Sequence, residues 1–369
     1  MTDVFTENTE QNLFQTILGS LKTVVSGFVL LGLSVVVLWK NEGCAVSQQA
    51  ALDELKGKVV KADAQNPSAA LSGKPVMLQA ALYSKNFAYD NQFIVKQPFV
   101  KMDRIVEMYQ WVEHKEQKKS YSYTKEWHET HQSSAFFKEP AGHTNPEPAF
   151  TTQTFLAKEI TFGKYKGENI AREVRAETLI PISNQELSPE IENLKTKLKK
   201  NSIQVIDNTI YLTTVGFQRP EIGDLRIKYL GVKSEYYTAI GTQVGTNDLE
   251  AFAGKEGTPF MIVEKGVKNK ATMIKGEQQR NSQVTWLIRG FGAFLMFLAL
   301  MALLKPFISI FEVVPVLGDL INYGIFLASI AVSLGLSAII IVVAKLFYNP
   351  IYLLALAAVI GGANCVGLG

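Results

Sequence analysis

A pair of histidines three residues apart is the segment of this sequence closest to a catalytic metal-binding motif. Residues 128–131, HETH, are one residue short of the H-E-x-x-H pattern, in which two histidines on one helical face bind zinc and the glutamate acts as general base. The preceding residues, SYSYTKEW, predict a β-strand, on which positions three apart point to opposite faces. Zinc binding is therefore not expected. His114 and His143 stand alone and are expected in structural roles.

Other signatures of chemistry or of nucleic-acid binding are missing from the sequence. It contains no G-x-S-x-G nucleophile elbow, no Walker loop and no G-x-G-x-x-G after a strand. Two cysteines, Cys44 and Cys365, are too few for a disulfide framework or a thiolate-rich metal site. The net charge is only +3 and no basic stripe is interleaved with aromatic residues, so nucleic acid is not an expected partner. The sequence predicts a protein without enzymatic activity and without a cofactor.

Long uncharged runs predict membrane-spanning helices. No charged residue occurs in 320–344, and none follows Lys345. A bilayer core needs about 20 mainly apolar residues per helix, and its backbone groups must be paired within the segment. We therefore predict four spans, with a reversal at Asn349-Pro350 between the last two. They lie near residues 23–39, 287–304, 322–344 and 351–367.

The residues between the first two spans predict one soluble domain. Residues 40–283 contain many short segments in which apolar residues alternate, with turn signals between them. A charged helical stretch at 186–200 interrupts the series, and helices do not alternate regularly with strands. The predicted fold is an integral membrane protein with four α-helical spans and a large β-rich α+β domain, a barrel or a sandwich, between spans 1 and 2.

Two flanking segments have their own patterns. Residues 1–22 are a polar N-terminal tail that contains enough apolar residues for a short helix. Residues 306–321 place apolar side chains on one helical face, opposite Glu312, Pro315 and Asp319. This pattern favours an amphipathic segment at the membrane interface, and the alternative is a helix that extends the third span into water.

Aromatic and charged residues of the predicted strands are candidates for partner binding or for structural roles. Aromatic side chains on adjacent strands pack across the sheet, and this reading is favoured over a binding groove. Asp224 and Arg226 are two apart and are expected on one strand face. The candidate set is Glu107, Tyr109, Trp111, Glu126, Trp127, His143, Asn145, Asp224 and Arg226. Trp111 is expected to be buried.

Small residues recur on the third span and are candidates for helix packing. Ser329, Ser333 and Ser337 are spaced four apart, and Gly335 lies nearby. Small residues at this spacing allow two helices to approach closely, and we expect them to contribute to self-association. A polar stripe of this kind is also compatible with a pore.

Six short segments, in order along the chain, resemble the LUMA family, the transmembrane protein forty-three family. They are Asn41-Glu42-Gly43, VEMYQWVE at 106–113, YSYTKEW at 121–127, GHTNPEP at 142–148, PEIGDLRI at 220–227 and VPVLGDLINYG at 314–324. The resemblance implies four spans with a large domain between the first and second. It also implies a domain on the non-cytosolic side of the membrane.

The resemblance carries expectations about function. Eukaryotic members reside in the endoplasmic reticulum and inner nuclear membrane, self-associate, and associate with lamins and emerin; a distant bacterial member would lie in the plasma (inner) membrane. We expect a non-enzymatic multi-pass protein that acts as a scaffold or organiser of membrane protein complexes. Its expected partners are the lipid bilayer, further copies of itself and membrane or envelope proteins. The alternatives are a channel or channel-regulating subunit, and a membrane-anchored hydrolase or lipid-modifying enzyme.

Overall fold

The computed structural model describes residues 3–6, 13–93, 95–115, 120–182, 195–196, 200, 202–311 and 315–349. The chain divides into two compact units. One unit is a β-rich domain that consists mainly of Val59–Ala251, with Met1–Thr9 and Met261–Lys268. The other unit is helical and consists of Glu10–Lys58, Phe252–Phe260 and Asn269–Gly369. The predicted fourth span at 351–367 and most of the predicted charged helix at 186–200 lie outside the described residues.

The described structure contains four α-helices and seventeen strands. The helices are α1 Leu13–Lys58, α2 Glu168–Glu173, α3 Lys270–Phe311 and α4 Pro315–Tyr348. The first strands are β1 Asp3–Thr6, β2 Val60–Lys61, β3 Pro75–Tyr83, β4 Ala88–Asp90, β5 Val95–Gln97, β6 Lys101–Lys115, β7 Ser120–His128, β8 Gln153–Leu156 and β9 Thr161–Phe162. The remaining strands are β10 Tyr165–Lys166, β11 Thr178–Leu179, β12 Ser202–Ile206, β13 Thr209–Thr213, β14 Leu225–Val232, β15 Tyr236–Val244, β16 Asp248–Glu250 and β17 Ile262–Lys265.

The helical unit contains three helices that are long and apolar enough to cross a membrane. The candidate spans are Lys22–Lys58, Lys270–Pro306 and Tyr323–Tyr348. Helix α1 has 46 residues, which corresponds to about 69 Å at 1.5 Å per residue and exceeds the bilayer core of about 30 Å. The predicted spans 23–39 and 287–304 therefore lie inside longer helices. The segment predicted at 306–321 is shared between the end of α3 at Phe311 and the start of α4 at Pro315.

Glycines allow these helices to approach closely. A Cβ atom added at Gly27 would lie 2.9 Å from Cγ of Leu303 on α3. One added at Gly292 would lie 2.6 Å from Cδ2 of Leu38 on α1. Without a hydrophobic driving force between helices in lipid, van der Waals contact of this kind holds the bundle together.

The β-rich domain contains two large sheets and a separate hairpin. The first sheet has eight strands in the order β1-β7-β6-β14-β13-β12, with β8 beside β6 and β11 beside β14. The second sheet has seven strands in the order β10-β9-β3-β15-β16, with β17 beside β15 and β2 beside β3. Strands β4 and β5 form the hairpin. The prediction of a β-rich domain is confirmed.

Alternation of side chains gives the first sheet one core face and one open face. Val106 and Met108 of β6 are buried in a core that also holds Ile210 of β13 and Ile227 of β14. Neighbouring residues of these strands point to the other side of the sheet, where Tyr109 is half-buried. The sheet therefore rests on a hydrophobic core, and its second face is partly accessible around Tyr109.

A buried ion pair fixes the β4–β5 hairpin on this core. Arg104 of β6 is 1% exposed, and its Nη1 donates to Asp90 Oδ2 of β4 at 2.7 Å. The Tyr229 hydroxyl donates to the same carboxylate oxygen at 2.8 Å. Burial, and next the neighbouring Asp90 carboxylate, raise the pKa of Tyr229, so the phenol keeps the proton that it donates.

Candidate functional site

Asn145 completes the backbone hydrogen bonding of β6 at Trp111. The Trp111 N–H donates to Asn145 Oδ1 at 2.7 Å, and Asn145 Nδ2 donates to the carbonyls of Trp111 at 2.8 Å and Gln132 at 2.9 Å. A buried backbone group without a partner is costly, so this one side chain replaces a neighbouring strand. Trp111 is 8% exposed, which confirms the prediction that it is buried.

His143 lies between the aromatic rings of β6 and β7. Its ring stacks on Tyr123, with centroids 3.9 Å apart, and meets Trp111 edge-on at 4.7 Å. The Tyr123 hydroxyl donates to Glu113 Oε2 at 2.7 Å and accepts from the Glu139 N–H at 2.8 Å. Burial, and next the hydrogen bond to Glu113, raise the pKa of Tyr123 to about 12. These contacts give the GHTNPEP segment a structural role against the sheet.

A second group of residues lies on the open face of the first sheet. Arg226 binds Glu107 through two hydrogen bonds, Nε to Oε2 at 2.8 Å and Nη2 to Oε1 at 3.1 Å. The Arg226 guanidinium also lies 4.9 Å from the ring centroid of Trp127, which is 5.3 Å from the ring of Tyr109. Predicted cross-strand aromatic packing is present here, because Tyr109 and Trp127 are directly paired.

Two further rings, which sequence reasoning missed, extend this cluster. Tyr211 of β13 lies 6.3 Å from Trp127, and Phe217 lies 5.9 Å from Tyr211. The strand of Tyr211 pairs with the neighbouring strands β12 and β14, and nothing local in the sequence indicates the contact of Tyr211 with Trp127, which lies far away in sequence. We call Tyr109, Trp127, Tyr211, Phe217 and Arg226 the aromatic face. All five side chains are partly accessible to solvent.

Asp224 does not join Arg226 on the aromatic face. Its side chain is fully buried, and Oδ1 accepts from Lys200 Nζ at 2.7 Å and from the Thr214 N–H at 3.0 Å. Oδ2 accepts from the Glu221 N–H at 2.8 Å. Asp224 therefore ties together the loop before β14, and the expectation that it would act on one face with Arg226 is not met.

The two histidines of the HETH segment belong to separate contacts, His128 with Glu126 and His131 with Glu147. Glu126 is 3.2 Å from Nε2 of His114 and 3.9 Å from Nε2 of His128. A hydrogen bond from Thr124 lowers the pKa of Glu126, with a smaller contribution from His114. His131 instead faces Glu147, with Nδ1 3.6 Å from its carboxylate. Among the described residues, no three His, Cys, Asp or Glu side chains form a group that could hold a metal ion.

A polar site lies between the membrane helices, and its central ion pair was not predicted. Glu42 of α1 is 1% exposed, and both of its oxygens accept from Arg289 of α3, at 2.7 Å each. Asn41 Nδ2 donates to the Thr285 carbonyl at 3.3 Å. A Cβ atom added at Gly43 would lie 2.7 Å from Cζ of Tyr348 on α4. Each residue of the Asn41-Glu42-Gly43 triplet thus contacts another helix.

A groove of about 550 Å³ opens beside this ion pair. It is lined from all three helices, including Glu42, Arg289 and Lys345. Trp286 is 65% exposed and its ring lies 4.7 Å from the Arg289 guanidinium. We call this cavity the helix groove.

The serines predicted for helix packing face the interior of the helical unit. Ser329, Ser333 and Ser337 are 1%, 3% and 3% exposed, whereas a Cβ atom added at the accessible Gly335 would meet nothing within 4 Å. The Ser333 hydroxyl donates to the Ile330 carbonyl at 2.9 Å. The stripe therefore packs within this chain, on a different side of α4 from Gly335.

The burial of Trp111 predicts a large effect of its truncation. Trp111→Ala should lower the free energy of unfolding by roughly 3–5 kcal/mol, because it removes a buried ring that packs against His143 and Lys125. The half-buried Trp127 provides the matched control, and Trp127→Ala should cost less. Chemical denaturation of the full chain in mild detergent, followed by intrinsic fluorescence, measures both. Equal losses in the free energy of unfolding for Trp111→Ala and Trp127→Ala would contradict the prediction that the buried ring of Trp111 contributes more.

The ion pair between α1 and α3 predicts that removing one of its two charges destabilises the protein more than replacing both. Glu42→Ala leaves the Arg289 charge without its carboxylate and should cost roughly 3–5 kcal/mol, whereas the double variant Glu42→Leu with Arg289→Met should recover most of that loss. Glu54→Ala is the control, because its partner Lys58 is 57% exposed and exposed ion pairs contribute little to stability. Apparent melting temperatures in detergent compare the variants. If Glu42→Ala melts like Glu54→Ala, the pair is not structural.

Known proteins are similar to this chain in sequence. The family model described as "Transmembrane protein 43" matches residues 108–350. Transmembrane protein 43 of Rattus norvegicus is 27% identical over 88% of this chain and 84% of the relative. The Homo sapiens protein is 26% identical over 90% and 86%, and the Drosophila melanogaster homolog is 25% identical over 92% of each. No solved structure matches. The chain is a membrane protein that belongs to the transmembrane protein 43 family.

Proposed function

We propose that this protein is a non-enzymatic scaffold that organises membrane protein complexes, and that the aromatic face is its partner-binding surface. The aromatic face supports this proposal because of its composition. Trp, Tyr and Arg are the residues enriched at interface hot spots. Here Trp127, Tyr109, Tyr211 and Arg226 form one contact network that remains partly accessible.

The packing of the first sheet also suits a binding surface. The other side of β6, β13 and β14 is a closed hydrophobic core, so the side chains of the aromatic face rise from a rigid support. Arg226 is held by both oxygens of Glu107, which fixes the guanidinium over Trp127. A preordered surface loses little side-chain entropy when a partner binds.

We further propose the four-span topology, with residues 351–367 as the last span and the β-rich domain on the non-cytosolic side. In a eukaryote the protein would reside in the endoplasmic reticulum and inner nuclear membrane, with lamins and emerin among its partners. In a bacterium it would reside in the plasma membrane. Self-association would use surfaces of α4 other than the buried serine stripe, since Leu334 and Ile339 are 58% and 60% exposed.

The pairing of β1 with β7 bears on this topology. Residues 3–6 precede α1 and β7 follows it, so a bilayer crossed by α1 would separate the two strands. We propose that the membrane-inserted chain does not form this pairing, and that the edge of β7 is then open.

Loss of the aromatic face should release partners without unfolding the domain. Trp127→Ala with Tyr211→Ala should reduce the proteins that co-purify with the full chain after mild cross-linking in native membranes, as measured by quantitative mass spectrometry. Phe136→Ala is the matched control, because Phe136 is 88% exposed and lies outside the aromatic face. Elution volume and melting temperature verify folding. An unchanged set of co-purifying proteins with a folded double variant would refute the proposed binding surface.

Disulfide trapping should show whether α1 crosses the bilayer. In a Cys44→Ser, Cys365→Ser background, Phe5→Cys with Tyr121→Cys introduces thiols at directly paired positions of β1 and β7. Four spans predict no cross-link in oxidised native membranes. Asp103→Cys with Thr154→Cys, paired between β6 and β8, is the positive control. Gel mobility after oxidation reports both pairs, and a cross-link between positions 5 and 121 within one chain would exclude a fully inserted α1.

A further inference from the structure

A cavity in the β-rich domain is lined by three lysines that have no acidic partner. It has a volume of about 620 Å³ and is lined by Lys85, Lys96 and Lys158; we call it the lysine pocket. Its described lining residues include no aspartate or glutamate, and within the described part of the chain none of the three ammonium groups forms an ion pair. Three ammonium groups and no carboxylate leave a net charge of +3. A concave site of one sign of charge attracts an oppositely charged ligand, here an anion.

The acids nearest in sequence do not enter the lysine pocket. Asp90 belongs to the β4–β5 hairpin, but its carboxylate is fully buried and accepts from Arg104 and from the Tyr229 hydroxyl on the core side. Glu159 follows Lys158 and lines a neighbouring cavity instead. The positive charge of the lysine pocket is therefore left for a ligand to neutralise.

The walls of the lysine pocket are held in place by the fold. Tyr89 of β4 and Lys96 of β5 are directly paired and lie on the exposed face of the hairpin that the buried Asp90 fixes on the core. On the opposite side, the Lys158 carbonyl accepts from Ser84 Oγ at 2.6 Å and from Asn86 Nδ2 at 3.3 Å. These bonds join the segment before β4 to the segment after β8. A site ordered before binding loses less entropy when the ligand arrives.

Two aromatic rings line the lysine pocket beside the charges. Phe87 and Tyr89 both remain exposed, although large apolar rings are usually buried. They are two residues apart on an extended segment, so their side chains leave the same face. The Lys96 ammonium lies 5.7 Å from the ring centroid of Phe87, which places charge and ring next to each other. Exposed rings of this kind offer a surface on which a nucleobase can stack.

The kind of cation and the size of the cavity narrow the class of anion. Lysine binds phosphate as a point charge, whereas the planar fork of arginine is the usual partner of a carboxylate, and no arginine is among the described lining residues. Small-molecule sites have volumes of about 300–1,000 Å³, and the lysine pocket falls within this range. A compact phosphorylated molecule therefore fits better than an extended peptide.

We propose that the lysine pocket binds a nucleoside polyphosphate. The phosphates contact the ammonium groups of Lys85, Lys96 and Lys158, and the base stacks on Phe87 or Tyr89. Asn86, which also lines the cavity, supplies further hydrogen-bonding capacity. The site shares no residue with the aromatic face, so the binding of a nucleotide is independent of the proposed scaffold function.

Equilibrium dialysis of the purified full chain in mild detergent tests the proposal. The probes are ATP, tripolyphosphate, which lacks the nucleoside, and adenosine, which lacks the phosphates. The buffer contains no magnesium, because Mg²⁺ would neutralise the phosphates that the lysines should bind. ATP should bind most tightly, tripolyphosphate more weakly and adenosine not measurably. No measurable binding of ATP, or equal affinities for ATP and adenosine, would overturn the proposal.

Substitution of single lysines locates the phosphates. Lys96→Met and Lys158→Met should each weaken ATP binding roughly tenfold, because each removes one charged contact. Lys74→Met is the matched control, because Lys74 is an exposed lysine of the same domain outside the lysine pocket. The melting temperature verifies folding. Undiminished ATP binding by both pocket variants would overturn the assignment of the site, and so would an equal loss in Lys74→Met.

Removal of the rings separates the base from the phosphates. Phe87→Ala with Tyr89→Ala should lower the affinity for ATP to that for tripolyphosphate and leave tripolyphosphate binding unchanged, because only the base contacts the rings. Both side chains are exposed, so the double variant should keep the fold. Equal losses for the two probes would refute stacking of the base, as would equal affinities of the unmodified protein for ATP and tripolyphosphate.

Discussion

The alternation of side chains along β6 is the constraint on which the β-rich domain depends. One row of this strand enters the core through Val106 and Met108, and the other row contributes Glu107 and Tyr109 to the open side. A shift of one residue in pairing would exchange the two rows and expose the core. The register is held by contacts at both ends of the strand, from Arg104 to Asp90 and from Asn145 to Trp111.

Local patterns in the sequence predicted the strands well, because a half-buried strand has a period of two wherever it occurs. The segment SYSYTKEW, predicted as a strand, lies inside β7, and the uncharged runs of the first three predicted spans lie inside the long helices. The partners of single side chains were harder to predict. Asn145 and Trp111 are 34 residues apart, and Arg289 and Glu42 are 247 apart. Such pairs depend on how whole elements pack, which periodicity does not report.

The helical unit shows the same limit on prediction. The spacing of Ser329, Ser333 and Ser337 indicated close helix packing, and the structure buries all three. Spacing alone could not distinguish contact with the helices of the same chain from contact with a second copy. It also grouped Gly335 with these serines, although it lies on an accessible side of α4. Hydropathy likewise placed Arg289 near the start of the predicted span 287–304 and gave no indication of its carboxylate partner.

Asn145 also has a chemical consequence for the lifetime of the protein. Asparagine side chains in long-lived proteins slowly deamidate when the backbone nitrogen of the next residue attacks the amide carbon. The next residue here is Pro146, whose ring nitrogen carries no hydrogen and cannot close that ring. Conversion of Asn145 to aspartate would direct a carboxylate at the carbonyls of Trp111 and Gln132. The Asn145-Pro146 dipeptide thus blocks this form of molecular ageing at an amide that pairs with three backbone groups.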